Sequence, residues 1–120
     1  MIIKSGIGND EDKLPKKGFP VSIKNKDGKG VYALYEEGFT FVGVALEDAY
    51  SYVDFGLKSN CISVCYSGNV NCVAAESLAA GDVVVPSVDG FKKSLDGNGV
   101  GIVIRGGNAN SHIEVLLKTI

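Results

Sequence analysis

The sequence contains no tryptophan, one methionine, one histidine and three prolines, and it has no long apolar run. A membrane-spanning helix needs about 20 consecutive apolar residues, so we expect no membrane association. The first residues also lack the apolar stretch of a secretory signal. Twelve basic residues stand against 14 acidic ones, for a net charge of -2. Nucleic-acid-binding proteins normally carry a basic patch or stripe, so we expect no nucleic-acid partner.

The three cysteines, Cys61, Cys65 and Cys72, do not form a recognisable disulfide framework. If Cys61 and Cys65 share one extended strand, about 13 Å separates them, which is too far for a bridge. Their spacing is not that of a zinc site. One alternative stays open: an enzyme that uses Cys65 or Cys72 with His112 as a nucleophile pair. We favour buried thiols and an ordinary histidine, and predict no catalytic residue, metal or cofactor.

Glycine, by contrast, is abundant, with 16 residues, and it clusters between short apolar runs. Turn motifs such as Asp89-Gly90, Asp96-Gly97 and Gly106-Gly107 supply positive φ angles that fold a chain back between strands. We therefore predict an all-β fold: a small β-barrel or β-tulip-like meander of about nine short strands, forming one domain over residues 19–120. The predicted strands are FPVSIK, VYALY, FTFVGVAL, residues 61–66, residues 70–73, VVVP, FKKS, GVGIVIR and HIEVLLK. The segment AESLAAGD is predicted to form a short helical turn.

Two of these strands resemble each other, because each has a glycine within an apolar run. Residues 41–46 read FVGVAL and residues 100–104 read VGIVI. Glycine weakens a strand unless a neighbouring backbone or a sharp bend needs the space. The two glycines, Gly43 and Gly101, therefore predict a barrel or a tightly curled sheet, whose corners need small residues.

Residues 1–18 are predicted to form an extended or flexible N-terminal arm. The segment is rich in charge and poor in apolar residues, so it cannot offset its own ordering entropy. Its basic end is either a solvated arm or a docking segment for an acidic protein surface. The candidate docking residues are Leu14, Pro15, Lys16, Lys17 and Phe19.

Residues 47–57 are predicted to form a loop, although a short helical turn is the alternative. Tyr50, Tyr52 and Phe55 in this loop form a candidate surface aromatic patch. Exposed aromatic rings can stack on sugars, so a small carbohydrate- or polymer-binding module is the second functional hypothesis.

Several motifs resemble those of a known group of proteins. They are Ser67-Gly68-Asn69-Val70, Leu78 to Val84 (LAAGDVV), Asp89-Gly90-Phe91, Gly99 to Val103 (GVGIV), Ile113 to Leu117 (IEVLL) and Phe41 to Ala45 (FVGVA). Together they resemble the capsid decoration or cement proteins of tailed bacteriophages and the capsid-anchoring domains of head fibre proteins. The resemblance covers roughly residues 39–118.

This resemblance implies a barrel-like or tulip-like fold, a homo-oligomer with a trimer favoured, and no cofactor or active site. It implies a virion structural protein on the outer capsid surface, made in the host cytoplasm, that bridges adjacent capsid subunits. The expected partners are the major capsid protein and further head proteins. The N-terminal arm would then dock on the shell or on a neighbouring copy.

Overall fold

A computed structural model describes residues 2–4, 8–10, 12–49 and 62–118, with the backbone alone for residues 2–4. These residues contain no helix, and hence none long and apolar enough to span a membrane. They form ten strands: β1 (Ile2–Lys4), β2 (Pro20–Lys26), β3 (Lys29–Leu34), β4 (Thr40–Ala45), β5 (Ser63–Cys65), β6 (Gly68–Val73), β7 (Val83–Ser87), β8 (Gly90–Lys93), β9 (Gly101–Arg105) and β10 (His112–Leu117). The predicted all-β, barrel-like meander is confirmed, with one strand more than expected.

The strands form two five-stranded sheets with the same connectivity. The first sheet has the order β1-β5-β4-β2-β3, and the second has the order β6-β10-β9-β7-β8. Renumbering β6 to β10 as one to five gives the first order again, and every pairing is antiparallel in both sheets. The chain is therefore an internal structural duplication, and we call the two halves the first and second repeats.

The strand register repeats as well as the strand order. Val21 of β2 lies opposite Gly43 of β4, and Val84 of β7 lies opposite Gly101 of β9. Both valines are fully buried. The resemblance between the two glycine-containing strands thus reflects equivalent positions in the two repeats.

The turns that lead into β2 and β7 are also equivalent. The N–H of Gly18 donates to the carbonyl oxygen of Ala45 at 2.8 Å, and the N–H of Gly81 donates to that of Val103 at 2.8 Å. Both glycines have positive φ angles, 82° and 93°. A residue with a side chain is strained in this conformation, so glycine is favoured at both turns.

In each repeat, the third strand lies at the edge of the sheet and carries a buried aromatic residue. This residue forms a β-bridge with the segment that follows the first strand. Tyr32 of β3 forms a parallel bridge with Asn9, and Phe91 of β8 forms one with Ala74. Both rings are buried. These bridges supply partners to the backbone of strands at the sheet edges, where open N–H and C=O groups would otherwise invite aggregation.

At both strand glycines, a neighbouring strand leaves no room for a side chain. A Cβ atom at Gly43 would overlap the carbonyl oxygen of Cys65. One at Gly101 would lie 2.7 Å from Cγ1 of Val115 and 2.8 Å from the carbonyl oxygen of Leu116. Strand β5 therefore packs so closely on β4, and β10 on β9, that only glycine fits at these two positions.

The second repeat packs onto one face of the first. Val44 and Cys65, on neighbouring strands of the first sheet, belong to a core cluster whose other members include Val84, Val103 and Val115 of the second sheet. The opposite face of the first sheet contributes to a second cluster. The members of this second cluster are Val21, Tyr32, Ala45, Ala49, Ile62 and Val64, with Leu14, Ile23 and Val42 at its margin.

The described part of the expected N-terminal arm lies on its own domain. The N–H of Tyr32 donates to Gly8 at 2.9 Å, and the N–H of Leu34 donates to Lys13 at 2.9 Å. Ile2–Lys4 pairs with β5 as an edge strand. Gly8 and Lys13 thus supply the edge of β3 with backbone partners, an arrangement that the polar composition of the segment does not reveal.

The helical turn predicted for AESLAAGD is wrong. Leu78 and Gly107 exchange two backbone hydrogen bonds, at 2.9 and 3.0 Å, and Leu78 is buried. The following turn is closed by the Asp82 carboxylate, which accepts a hydrogen bond from the N–H of Ala79 at 2.9 Å. Pairing with a distant segment has overridden a local helical preference.

Candidate functional site

A groove lies where the two repeats meet, and aromatic rings line and support it. Tyr35 follows β3 and packs edge-on against Phe41 of β4, with ring centroids 6.3 Å apart. Phe41 in turn packs edge-on against Phe91 of β8, at 6.1 Å. Phe91 is fully buried and anchors the row, while Tyr35 and Phe41 line the groove.

The groove has a volume of about 940 Å³ and is open to solvent. Its walls carry charges of both signs, among them Glu37, Lys92 and Asp96, around an apolar base. Val88 and Leu95 are exposed apolar residues at its margin. Such a surface can hold a ligand by contact and hydrogen bonding.

A short loop between β8 and β9 presents Leu95 to solvent. The Asp96 carboxylate accepts hydrogen bonds from the N–H of Asn98 at 2.9 Å and from the hydroxyl of Ser94 at 2.9 Å. The first of these contacts, reinforced by the second, lowers the pKa of Asp96. The loop is therefore held in one conformation while the Leu95 side chain remains fully exposed.

Of the two candidate nucleophiles of the open enzyme hypothesis, Cys72 does not face His112. Cys65 and Cys72 are buried, and burial raises the pKa of Cys72 to about 12, so this thiol is protonated at neutral pH. Cys72 lies opposite Ile113 in the β6–β10 pair. His112 precedes Ile113 and therefore points to the other face of the sheet. Cys61 lies outside the described residues. Among the residues that the structure describes, no group of three metal-ligating side chains occurs.

The five candidate docking residues separate into an internal and an external set. Pro15 is fully buried, so it is not available for docking, contrary to expectation. Leu14 is half-buried and packs beside the second core cluster. Lys16 and Lys17 are exposed and Phe19 is half-buried. These three form the outer surface of the turn before β2, and we call them the basic turn.

The basic turn is held in place by local contacts. The Lys16 ammonium lies 5.9 Å from the centroid of the Phe19 ring, within the range of a cation–π interaction. The backbone N–H of Lys17 donates to the Asp48 carboxylate at 2.9 Å. The second predicted patch, Tyr50, Tyr52 and Phe55, lies outside the described residues.

An ion cluster around one buried carboxylate joins the N-terminal segment to β2, and the sequence pattern did not indicate it. Asp10 is only 2% exposed, with Lys24 at 3.0 Å and Lys26 at 3.8 Å from its carboxylate oxygens. Burial alone would raise the pKa of Asp10. The hydrogen bonds from Lys24 and from the N–H of Asp12, with the two lysine charges, outweigh burial and lower the pKa.

The outer face of the second sheet carries an uncovered apolar patch that the sequence pattern did not lead us to expect. Ile102, Ile104 and Leu116 are 38%, 43% and 44% exposed. Ile102 lies directly opposite Leu116 on β10 and opposite Val83 on β7. The sequence did contain a signal. Consecutive residues of a strand point to opposite faces, and the runs of consecutive apolar residues in β9 and β10 therefore place apolar side chains on both faces. We call Val83, Ile102, Ile104 and Leu116 the outer patch.

No protein-family model matches the chain, and no curated protein matches it significantly. The fold and its surfaces define an internally duplicated all-β protein. Its exposed features are a groove between the repeats, a basic turn and an apolar sheet face.

Proposed function

We propose that this protein is a non-enzymatic structural component of a tailed-bacteriophage virion. It binds the outside of the capsid as a decoration, cement or head-fibre-base protein and bridges adjacent capsid subunits. Its partner is the major capsid protein, and it acts as a homo-oligomer. This proposal rests on the resemblance of the strand and turn motifs to those of capsid decoration proteins.

The supporting observation is where those motif residues lie in the fold. Gly68, Gly81 and Gly90 have φ angles of 90°, 93° and 124° at the starts of strands or in the turns before them. Gly101 and Gly43 lie where a Cβ atom would collide with the neighbouring strand. The motifs thus consist of residues that the fold itself requires, so a resemblance in them supports a shared fold with decoration proteins.

The basic turn is the surface that we assign to shell contact. It presents two cations and one aromatic ring, and these are held by Asp48 and by the buried Pro15. Such a contact is small and weak on its own. An oligomer that engages several equivalent capsid sites at once raises the overall affinity without any new contact.

The experiment measures binding of the purified chain to empty shells of the major capsid protein from the same genome. Wild-type protein is expected to co-sediment with shells to a saturating, symmetric stoichiometry. The double variant Lys16→Glu/Lys17→Glu is expected to bind at least tenfold more weakly, because it reverses both charges. The matched control is Lys29→Glu/Lys92→Glu, which reverses two exposed lysines elsewhere and should bind like wild type. No co-sedimentation of the wild type would refute the proposal.

The groove supports a second candidate, a carbohydrate- or polymer-binding module. Tyr35 lines the groove beside Glu37 and Asp96, a combination of ring and hydrogen-bonding groups that suits a sugar. A glycan array tests this candidate. Binding that is lost in Tyr35→Ala but kept in Tyr32→Phe would favour it, and an array without any bound glycan would remove it.

A further inference from the structure

The duplication makes it possible to compare the outer patch with its counterpart in the first repeat. Pro20, Val44 and Cys65 lie side by side on β2, β4 and β5, with Val44 opposite both of the others. Val83, Ile102 and Leu116 lie side by side in the same way on β7, β9 and β10. The two sets therefore occupy equivalent positions on the same face of the two sheets.

The two equivalent faces differ in what covers them. Pro20, Val44 and Cys65 are all buried, and Val44 and Cys65 belong to the core cluster that the second repeat shares. Ile102 and Leu116 remain about two-fifths exposed. The outer patch is thus the second repeat's version of a surface that already serves as a sheet-packing interface within the chain.

From this comparison we infer that the outer patch is the interface at which a second copy of this chain packs, sheet face to sheet face. The inference shares with the proposed function only the homo-oligomer, and it replaces the trimer that the resemblance favours with a dimer. It goes further than an expectation of oligomers, because it assigns the face, the partner and the symmetry.

The structure also indicates which face of the second copy meets the patch. Within the chain, the second repeat covers the first with the face that carries Val84, Val103 and Val115. The equivalent face of the first repeat carries Val21, Ala45 and Val64, which are already buried in its own core. That face is closed to a neighbouring copy, so head-to-tail stacking is blocked. The arrangement that we assign is therefore outer patch against outer patch, in a two-fold dimer.

The charges beside the patch agree with self-association. Arg105 and Glu114 border it and lie 3.5 Å apart, so the surface carries one charge of each sign. In a two-fold pair, the arginine of one copy can approach the glutamate of the other. A strongly acidic partner would place like charges beside Glu114, and a strongly basic partner would place them beside Arg105. Of the large exposed hydrophobics among the described residues, Phe39, Val88 and Leu95 lie in turns or loops, and the other three all belong to this patch.

The size of the face sets the expected strength of pairing. Five strands spaced about 4.8 Å apart, each four to six residues long, give a footprint of about 400 Å². Two such faces bury roughly half of the total area of a standard stable interface. We therefore expect a weak dimer that forms at high micromolar concentration.

The test is sedimentation velocity on the full chain from about 10 µM to 1 mM. The wild-type mass should rise from 12.6 kDa towards twice that value. Leu116→Lys should lower the association constant at least tenfold, because pairing would bury an unpaired charge. Leu95→Lys is the matched control, since it changes a fully exposed leucine outside the patch, and it should dimerise like wild type.

Ile102→Thr provides a milder second variant should Leu116→Lys fold poorly, and near-ultraviolet circular dichroism checks the fold of both. A wild-type chain that stays monomeric at 1 mM would overturn the inference. So would equal weakening by Leu95→Lys, or a trimer as the dominant species. A monomeric wild type would also remove the oligomer that the proposed function invokes. Shell contact through the basic turn is tested separately, by co-sedimentation of the Lys16→Glu/Lys17→Glu variant with shells.

Discussion

Gly43 and Gly101 occupy the same position in the two repeats. Gly43 lies directly against β5, and Gly101 lies directly against β10. A methyl group at either position would collide with a backbone carbonyl oxygen, and backbone cannot move as a flexible side chain can. Gly43→Ala and Gly101→Ala are therefore each expected to lower the free energy of unfolding by about 1–3 kcal/mol. Urea denaturation measures this loss.

Gly30→Ala is the control for these two variants, because it lies in β3 and its Cβ would meet only Cγ2 of Ile23, at an ordinary 3.6 Å. It should leave stability unchanged or raise it slightly, since alanine restricts the unfolded chain. Equal effects at all three glycines would show that the close strand contacts do not govern stability.

The N-terminal segment is expected to be part of the folded domain. Leu14→Ser should lower the free energy of unfolding by about 1–2 kcal/mol, since Leu14 packs beside the second core cluster. Lys16→Ser, two residues away and exposed, should change it by less than about 0.5 kcal/mol. Thermal unfolding followed by circular dichroism compares them. If the two variants are equally stable, the segment is an independent arm after all.

The Asp10 cluster predicts a dependence of stability on pH. Its neighbours lower the pKa of Asp10 below the ordinary value of 3.8. The ion cluster therefore stabilises the fold above that value, and its contribution is lost as the pH falls through the folded-state pKa. The wild type should unfold at a higher temperature than Asp10→Asn at pH 7, and the difference should shrink towards pH 2.

Calorimetry between pH 2 and pH 7 provides the measurement for this cluster. A second check comes from Lys24, whose ammonium contacts Asp10 at 3.0 Å. Lys24→Gln should lower the unfolding temperature of the wild type, and should leave that of Asp10→Asn nearly unchanged. A difference in unfolding temperature that stays constant with pH would contradict the assigned ion cluster.

The buried thiols are expected to be unreactive. In a Cys61→Ser background, a disulfide reagent at pH 8 should label neither Cys65 nor Cys72 in the folded protein, and should label both after denaturation. Burial and the raised pKa of Cys72, about 12, are the reasons. Rapid labelling of either thiol in the native state would support the cysteine–histidine enzyme hypothesis.

The sequence pattern predicted the strands because alternation and turn chemistry are local. The β2–β3 turn is an example: Asp27 and Gly28 have φ angles of 54° and 83°, and Asn25 accepts a hydrogen bond from the N–H of Gly28. Two positive φ angles in succession are what a two-residue hairpin needs. The glycines within strands likewise indicated close backbone contacts, because a strand keeps a glycine where a side chain has no room.

In the sequence, the duplication was visible only at one pair of strands, β4 and β9. Between β4 and β5 the chain runs from Ala45 to Ser63, whereas between β9 and β10 it runs only from Arg105 to His112. Unequal connections shift one repeat against the other, so the two halves do not align by simple spacing. Equivalent positions also differ in residue type, as Cys65 and Leu116 do, because one is covered and the other is exposed.

The burial of Asp10 and Pro15 could not be predicted for a related reason. Both lie in a polar, charged stretch, where solvation is the usual outcome. Their burial depends on contacts with β2, β3 and Ala49, which are distant in sequence. Composition reports what a segment can bury on its own and carries no information about the surface that it meets.

The composition of virions produced from the genome that encodes this chain tests the capsid role most directly. Mass spectrometry of purified particles should detect the chain in a fixed, high ratio to the major capsid protein. Cryo-electron microscopy should show its two-sheet body on the outer shell, at the junctions between capsid subunits. Mature particles that lack the chain, or that contain it only in traces, would contradict the account.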